Sequence, residues 1–424
     1  MATILDHTKL YRLPWTLPDN AISWLEPTFS CNLSCDGCYR ANLPNAHKSM
    51  EQIRHELQVF KSLRKTDGIS IAGGDPLLHP NIVDIVREIA ADGLKPIINT
   101  NGIALTKELL SELKKAGVAG FTFHIDSKQH RPHWKNKNEL ELNELRLHYA
   151  EMLAEVGGIS CAFNATVYED TLQYVPGMLL WAQEHIDIVN VMVFIAFRAA
   201  ALNDFDYYAG AEKIDMTSLV YSTVEQKQRD IMSEDIVETI RTAYPDFSPC
   251  AYLNGTEKPN SFKWLLTGRI GTKERIYGYV GPKFIELAQT AHHLAKGRYL
   301  AYTKPSVLRK GKRMLFLSPI DRGLSQTLSS YIAAAIRNPI RLFKPLYFQS
   351  VMIIQPIDLL ADGRMSMCDG CPDITVWGDE IVWSCRLEEQ MHFGTFVRAV
   401  PNRREKFSEK ELSFLQQWSK SKSP

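Results

Sequence analysis

Residues 26–43 read EPTFSCNLSCDGCYRANL, placing Cys31, Cys35 and Cys38 at C-x3-C-x2-C spacing in a tight loop with Gly37, directly after an apolar-rich run at 21–29. Three thiolates this close in sequence can each bind one iron of a cubane four-iron cluster, which leaves the fourth iron open to chemistry. Tyr39, next to the last cysteine, adds an aromatic face beside the site. The alternative is a zinc site with Asp36 or His47 as fourth ligand, because zinc also takes clustered cysteines; zinc ribbons usually use two C-x2-C pairs, which favours the cluster.

Outward from this loop, hydrophobic periodicity predicts alternating strands and helices. Strands are expected at 21–29, 68–72, 96–98, 121–125, 159–167 and 186–197. The intervening helices are marked by a Ser49/Gln52 capping box ahead of Ile53, Leu57, Phe60 and Leu63, by the apolar positions between 82 and 89, and by the stretches 105–116, 139–155 and 175–184. Six such units argue for a parallel sheet with right-handed crossovers that closes, or nearly closes, into a barrel. The expected fold is α/β: a partial (β/α)6 TIM-type barrel at 20–200, followed by a mixed α/β C-terminal extension carrying a second metal site. The remaining divisions are a lead-in at 1–19, a helical and basic region for substrate or interaction at 201–350 (198–248 mainly helical), a metal region at 351–400, and a terminal helix and tail at 401–424. The last is signalled by a second capping box, Ser408 with Glu411, and by Phe407 and Leu412 placed as a hydrophobic staple.

The second metal signal is CDGCPDITVWGDEIVWSC at 368–385, with Cys368, Cys371 and Cys385 flanking an apolar Ile381-Val382-Trp383 run that suggests a hairpin-like unit. Cys250, beside Pro249 at a segment boundary, is the candidate fourth ligand. If it does not ligate, a cluster there keeps an open iron that can bind substrate. Cys161 reads as a small core residue, and zinc stays open at this second site because C-x2-C pairs serve both metals.

The first loop resembles the radical S-adenosylmethionine (radical SAM) superfamily, whose signature is this cysteine spacing followed by an aromatic residue. Gly73-Gly74-Asp75-Pro76, one strand-helix unit later, is similar to that family's Gly-Gly-Glu-Pro type motif, with Asp in place of Glu. The resemblance implies a 4Fe-4S cluster on Cys31, Cys35 and Cys38, and S-adenosyl-L-methionine held on its free iron. It implies cofactor contacts from Tyr39, Gly73, Gly74, Asp75, Asn99, Asn101, His124, Asp126, Asn164 and Thr166, most of them at the carboxyl ends of strands. Cys368, Cys371 and Cys385 resemble the auxiliary-cluster extensions of the SPASM and twitch type, which implies a second 4Fe-4S cluster. The activity implied is reductive cleavage of S-adenosylmethionine to a 5′-deoxyadenosyl radical that abstracts hydrogen from an unactivated carbon, with a flavodoxin or ferredoxin as electron donor.

Composition bounds the rest. The chain has 424 residues, 45% hydrophobic and 23% charged, with a formal net charge of +1. No basic n-region with an apolar core opens it, and no run reaches about 18 apolar residues. Eight cysteines, six of them in two short groups, suit metal ligation in a reducing compartment rather than a disulfide framework. A cytoplasmic protein is expected, with peripheral contact at the inner membrane face. Residues 251–350 carry 17 Lys and Arg against four acidic residues, interleaved with apolar patches such as Met314-Leu315-Phe316-Leu317. That block suits an anionic, amphipathic, lipid-like substrate or an anionic membrane. A ribosomally made peptide is the competing substrate, and a non-catalytic zinc or iron-sulfur protein on membrane or RNA the competing class. No recognisable nucleic-acid module supports RNA.

Overall fold

The structure, a computed structural model, describes residues 5–198, 204–216, 219 and 230–402. After a short strand β1 (Tyr11–Arg12), the first core strand β2 (Ile22–Thr28) delivers the cysteine loop and α1 (Met50–Leu63). There follow β3 (Gly68–Gly73), α2 (Ile82–Ala91), β4 (Lys95–Thr100), α3 (Lys107–Ala116), β5 (Gly120–His124), α4 (Asn143–Val156), β6 (Ser160–Val167), α5 (Val175–Glu184) and β7 (Val191–Ala196). Strands β2 to β7 pair in sequence order and all run parallel, so their near-continuous apolar runs are covered on both faces. The Ser49/Gln52 capping box forms at the start of α1. Helix α4 begins four residues later than 139, because the Glu139 carboxylate accepts from Ser127 N–H (2.7 Å) and Arg146 Nη2 (2.8 Å) and folds the β5–α4 connection back on itself.

Beyond β7 the chain makes β8 (Phe205–Ala209), β9 (Glu212–Ile214), α6 (Ser233–Ala243), β10 (Ala251–Leu253), β11 (Trp264–Gly271) and β12 (Ile276–Tyr279). Helices α7 (Pro282–Lys296), α8 (Pro305–Leu308), α9 (Gly311–Met314) and α10 (Arg322–Arg337) come next, then β13 (Tyr347–Ile354), β14 (Asp358–Leu359) and β15 (Met365–Ser366). A hairpin of β16 (Ile374–Trp377) and β17 (Glu380–Trp383) leads to α11 (Leu387–Phe393) and β18 (Val397–Pro401).

The sheet does not stop at β7. Strand β13 adds to it in parallel, β11 pairs antiparallel with β13, and β10 and β1 extend that side, so the line drawn at residue 200 crosses one continuous sheet. The mainly helical reading of 198–248 falls partly outside the described residues. Only α6 is helical among the described residues there, while β8 and β9 form a small sheet with β18. Tyr207 buries against Val397 and Ala399, partners too distant in sequence for local periodicity to reveal. Strand β18 (Val397–Pro401) straddles the expected boundary at 400, and the second capping box lies outside the described residues.

Strands β1 and β2 sit at opposite edges of the sheet, yet residues 13–21 alone join them. Nine residues reach at most about 30 Å, so the sheet curls towards closure. The 368–371 loop lies in that seam: Asn20 Nδ2 donates to Gly370 O (2.9 Å), Arg12 Nη2 to Asp369 Oδ2 (2.6 Å) and Arg64 Nη2 to Cys371 O (2.7 Å). Gly370 has φ +71°, and a Cβ there would meet Trp15 O at 2.1 Å, so no other residue fits.

A buried polar stitch holds the added strands to the barrel. Arg269 of β11 is fully buried and donates from Nε to Gln349 Oε1 (2.8 Å) and from Nη2 to Leu179 O (2.9 Å), while Gln349 Nε2 donates to Ala182 O and Val189 O (both 2.7 Å). Gln349→Leu strands the guanidinium and these carbonyls, and urea unfolding is expected to show a loss of about 3–5 kcal/mol. A change below about 1 kcal/mol would mean that the stitch contributes little.

Candidate metal and cofactor site

The first cysteine loop is gripped from several strand ends. Asn42 and Cys31 exchange hydrogen bonds, Cys31 N–H to Asn42 Oδ1 and Asn42 Nδ2 to Cys31 O (both 2.9 Å). Asp36 N–H donates to Lys128 O (3.0 Å), and Tyr168 Oη donates to Asp36 O (2.8 Å). Gly37 has φ +68°, and its missing Cβ leaves room for Phe197, whose ring would lie 2.7 Å away. The three thiols are near enough to influence one another. Burial pushes all three upward, most strongly Cys35, where Asp126 and the other two sulfurs add to it. A thiolate set here therefore needs positive charge in its midst, which irons supply. Neither proposed zinc partner is free: Asp36 pairs with His130 (2.8 Å), and His47 Nδ1 with Thr28 Oγ1 (2.9 Å). Among the described residues no three His, Cys, Asp or Glu side chains are drawn together to hold one metal ion.

The strand ends beside the loop hold most of the other sequence candidates. A Cβ on Gly73 would meet Thr28 O at 2.3 Å, and one on Gly74 would meet Ser30 O at 2.2 Å, so the glycines let two backbones touch. The N–H groups of Gly74 and Asp75 donate to those same carbonyls (both 2.8 Å). Asp75 is buried and spent within the protein, accepting from Thr100 Oγ1, Asn101 N–H and Leu77 N–H. Asn101 turns its amide to the loop, with Nδ2 at 2.7 Å from Asn32 Oδ1 and 3.8 Å from the Cys31 sulfur. His124 Nε2 faces Asp126 Oδ2 (2.8 Å) and Thr166 Oγ1 (3.1 Å), across the β5–β6 ladder from Asn164. Burial raises the Asp126 carboxyl, but the bond and charge of His124 with the N–H groups of Thr166 and Lys128 outweigh it and hold it below the usual range. Asn99 Nδ2 and Asn164 Oδ1 are buried without a partner, a donor and an acceptor left over at the barrel's strand ends. Tyr39 lies on the other side of the loop, its ring 4.7 Å from the Arg40 guanidinium carbon.

In the second group, Cys368, Cys371 and Cys385 are near enough to influence one another. Cys371 is pushed well up by its hydrogen bond with Cys368 and by burial, and Cys385 feels Cys368 as well and is raised to about 12, chiefly by burial. The expected hairpin is β16–β17, and Cys385 follows it in a single 3-10 turn. Cys250 does not join them. Its thiol donates to Leu266 O (3.2 Å), and its influences are burial, the Gly268 backbone and Asp321, so the fourth-ligand expectation is corrected. Cys161 is buried core.

Sequence reasoning missed what ties the two groups together. Arg40, two residues after Cys38, is buried and donates from Nε to Glu26 Oε2 (2.6 Å), and from Nη2 to Glu26 Oε1 (2.7 Å) and to Ser384 O (2.6 Å). Ser384, which precedes Cys385, donates its hydroxyl to Glu26 Oε1 (2.7 Å), and Glu388 Oε1 accepts from Ala41 N–H (3.1 Å). Burial raises Glu26, yet the charge and hydrogen bonds of Arg40 and the Ser384 hydroxyl hold it below the usual range. A carboxylate inside an otherwise apolar parallel strand was the available signal, since such a charge is almost never buried unpaired.

With this geometry in view, residues 25–182 match the model of the radical SAM superfamily. An AdoMet-dependent heme synthase of Methanosarcina barkeri (strain Fusaro / DSM 804) is 32% identical over 115 residues, 26% of this chain and 32% of that protein. A tungsten-containing aldehyde ferredoxin oxidoreductase cofactor-modifying protein of Pyrococcus furiosus is 34% identical over 109 residues, 24% of this chain and 30% of that protein. The aligned part spans about a third of the length of each of these relatives. Among solved structures, Streptococcus suis SuiB aligns over 53% of this chain and 46% of its own at 14% identity, with a TM-score of 0.38.

Arg40→Leu leaves Glu26 buried and unpaired, and thermal or urea unfolding is expected to show a loss of about 3–5 kcal/mol. Pairing it with Glu26→Leu is expected to recover most of that loss, because the stranded charge goes too. If the double variant is as unstable as the single, Arg40 acts through packing rather than through Glu26.

Proposed function

We propose that this chain is a radical SAM enzyme. Cys31, Cys35 and Cys38 would hold a 4Fe-4S cluster, and Cys368, Cys371 and Cys385 a second one with an open iron. When bound, the first cluster with S-adenosylmethionine supplies a one-electron cleavage and hence a 5′-deoxyadenosyl radical able to take a hydrogen atom from an unactivated carbon. A flavodoxin- or ferredoxin-type donor supplies the electron.

The protein's own residues position and shield that chemistry. The turn at Gly73 and Gly74, whose close approach to Thr28 and Ser30 leaves no room for side chains, would offer backbone to the cofactor's amino group. Asn99 Nδ2 and Asn164 Oδ1, buried and unpartnered, suit the polar edges of the cofactor, and Asp126 fixes the orientation of His124 beside them. Asn101 points an amide hydrogen at the Cys31 sulfur, a contact that would tune the potential of a cluster held there. The observation that carries the reading is the convergence of the three thiols with these strand-end groups at the carboxyl ends of parallel strands, where barrels of this kind place their sites. For the substrate, the excess of Lys and Arg over acidic residues in 251–350 supports an anionic, amphipathic molecule.

Anaerobically purified protein is expected to hold about eight irons, falling to about four in Cys31→Ala/Cys35→Ala/Cys38→Ala with loss of 5′-deoxyadenosine formation under dithionite. Cys250→Ser is expected to leave iron content unchanged. Iron near four that vanishes in the triple variant would remove the second cluster from the mechanism.

A further inference from the structure

The basic block is no uniform charged coat. From Leu287 to Lys344 the sequence has eleven Lys and Arg and a single acidic residue, Asp321. Asp321 is 1% exposed and spent on three backbone N–H groups, those of Gly281, Phe284 and Leu324. This segment therefore presents basic side chains with no surface carboxylate of its own.

Large apolar side chains stand among them. Helix α10 buries Leu324, Thr327, Tyr331, Ala334 and Ala335 against the body of the protein, which turns Ile332 and Ile336 outwards, the latter 77% exposed. The chain then makes a single 3-10 turn (Pro339–Leu342) and presents Phe343 at 87% exposure. The turn after α9 adds Phe316 at 82%. These pieces are tied together: Lys312 Nζ donates to Leu342 O (2.6 Å), and Tyr331 Oη to Arg341 O (3.1 Å). Arg313, Arg337 and Arg341 border the apolar groups, and none forms an ion pair among the described residues. No helix among those residues is long and apolar enough to cross a membrane.

The bare side chains of Phe316, Ile336 and Phe343, each with an unpaired arginine within three residues, match the layering of an anionic bilayer surface, with apolar groups entering the acyl boundary and guanidinium groups at the phosphates. RNA would use the charges and flat rings but gains nothing from exposed isoleucine. A second copy of this face would set arginine against arginine. We infer that the face formed by α9, α10 and the turns that follow them is a docking surface for anionic phospholipid membranes. The inference does not depend on the radical chemistry proposed above and is read without turnover.

The test is flotation of the full-length protein with phosphatidylcholine vesicles, with and without about one-third phosphatidylglycerol, in low salt and in about 0.5 M salt. Flotation is expected only with the anionic vesicles, weakened by salt. Arg313→Glu/Arg337→Glu/Arg341→Glu is expected to lower vesicle affinity about a hundredfold or more. Phe316→Ser/Ile336→Ser/Phe343→Ser is expected to abolish flotation while the iron content and circular dichroism of both variants stay as in the parent. Absence of flotation, flotation unchanged by either set, or loss through the charges alone would each overturn the inference. The last result would mark a purely electrostatic surface of the kind RNA uses. Sedimentation showing that the parent self-associates through Phe316, Ile336 and Phe343, with no vesicle binding, would reassign the face to a second copy of this chain.

Discussion

A carboxylate inside a parallel strand must be neutralised, and in this protein the neutralising group is borrowed by two sites at once. Glu26 lies in β2, covered on both sides, and its charge is tolerable only because Arg40 meets it through two nitrogens. The same guanidinium fastens Ser384 O, and the Ser384 hydroxyl returns to Glu26. The segment after Cys38 and the segment before Cys385 are thereby fixed to one buried ion pair. Breaking such a pair exposes an uncompensated charge in a low-dielectric interior, so the relative placement of the two cysteine groups is held stiffly rather than left to loop packing.

Around that tie the barrel is completed by parts of the chain that look unrelated to it. The parallel series β2 to β7 is continued by β13, and the antiparallel β11 and β10 carry the sheet round to β1. The seam between β1 and β2 is not left open, because the 368–371 loop sits there against Asn20, Arg12 and Arg64. Cys368 and Cys371 are thus part of the barrel wall. Those two cysteines belong to the same hydrophobic cluster as Leu13, Trp15 and Leu253.

What the sequence disclosed follows the range of the forces involved. The cysteine loop and the six strand-helix units were legible because spacing and hydrophobic period are local properties, and the β16–β17 hairpin was marked by its apolar run between cysteines. The capping box at Ser49 was legible for the same reason. Arg40 was not, since its meaning comes from Glu26 on one side and Ser384 on the other. Cys250 was misjudged because a cysteine beside a segment boundary says nothing of distance, and its thiol faces Leu266 O. Strand β13 was invisible as a barrel strand because an apolar run does not name its neighbour. For the site, the motif glycines and strand-end polar residues can be named from the sequence, whereas the bracing of Asp75 between Thr100 and the Asn101 backbone depends on contacts that no local pattern shows.

The strand order also dictates a timetable for the growing chain. On the ribosome β7 emerges with its inner edge paired to β6, but its outer edge waits for β13, which lies beyond every residue from 197 to 346. Through that interval the nascent protein carries an unpaired edge in a parallel sheet, an open template for a strand from another chain. Contacts between residues so far apart also form slowly. The time for which that edge stays bare is thus a hazard for the recovery of folded protein that is separate from the stability of the finished barrel.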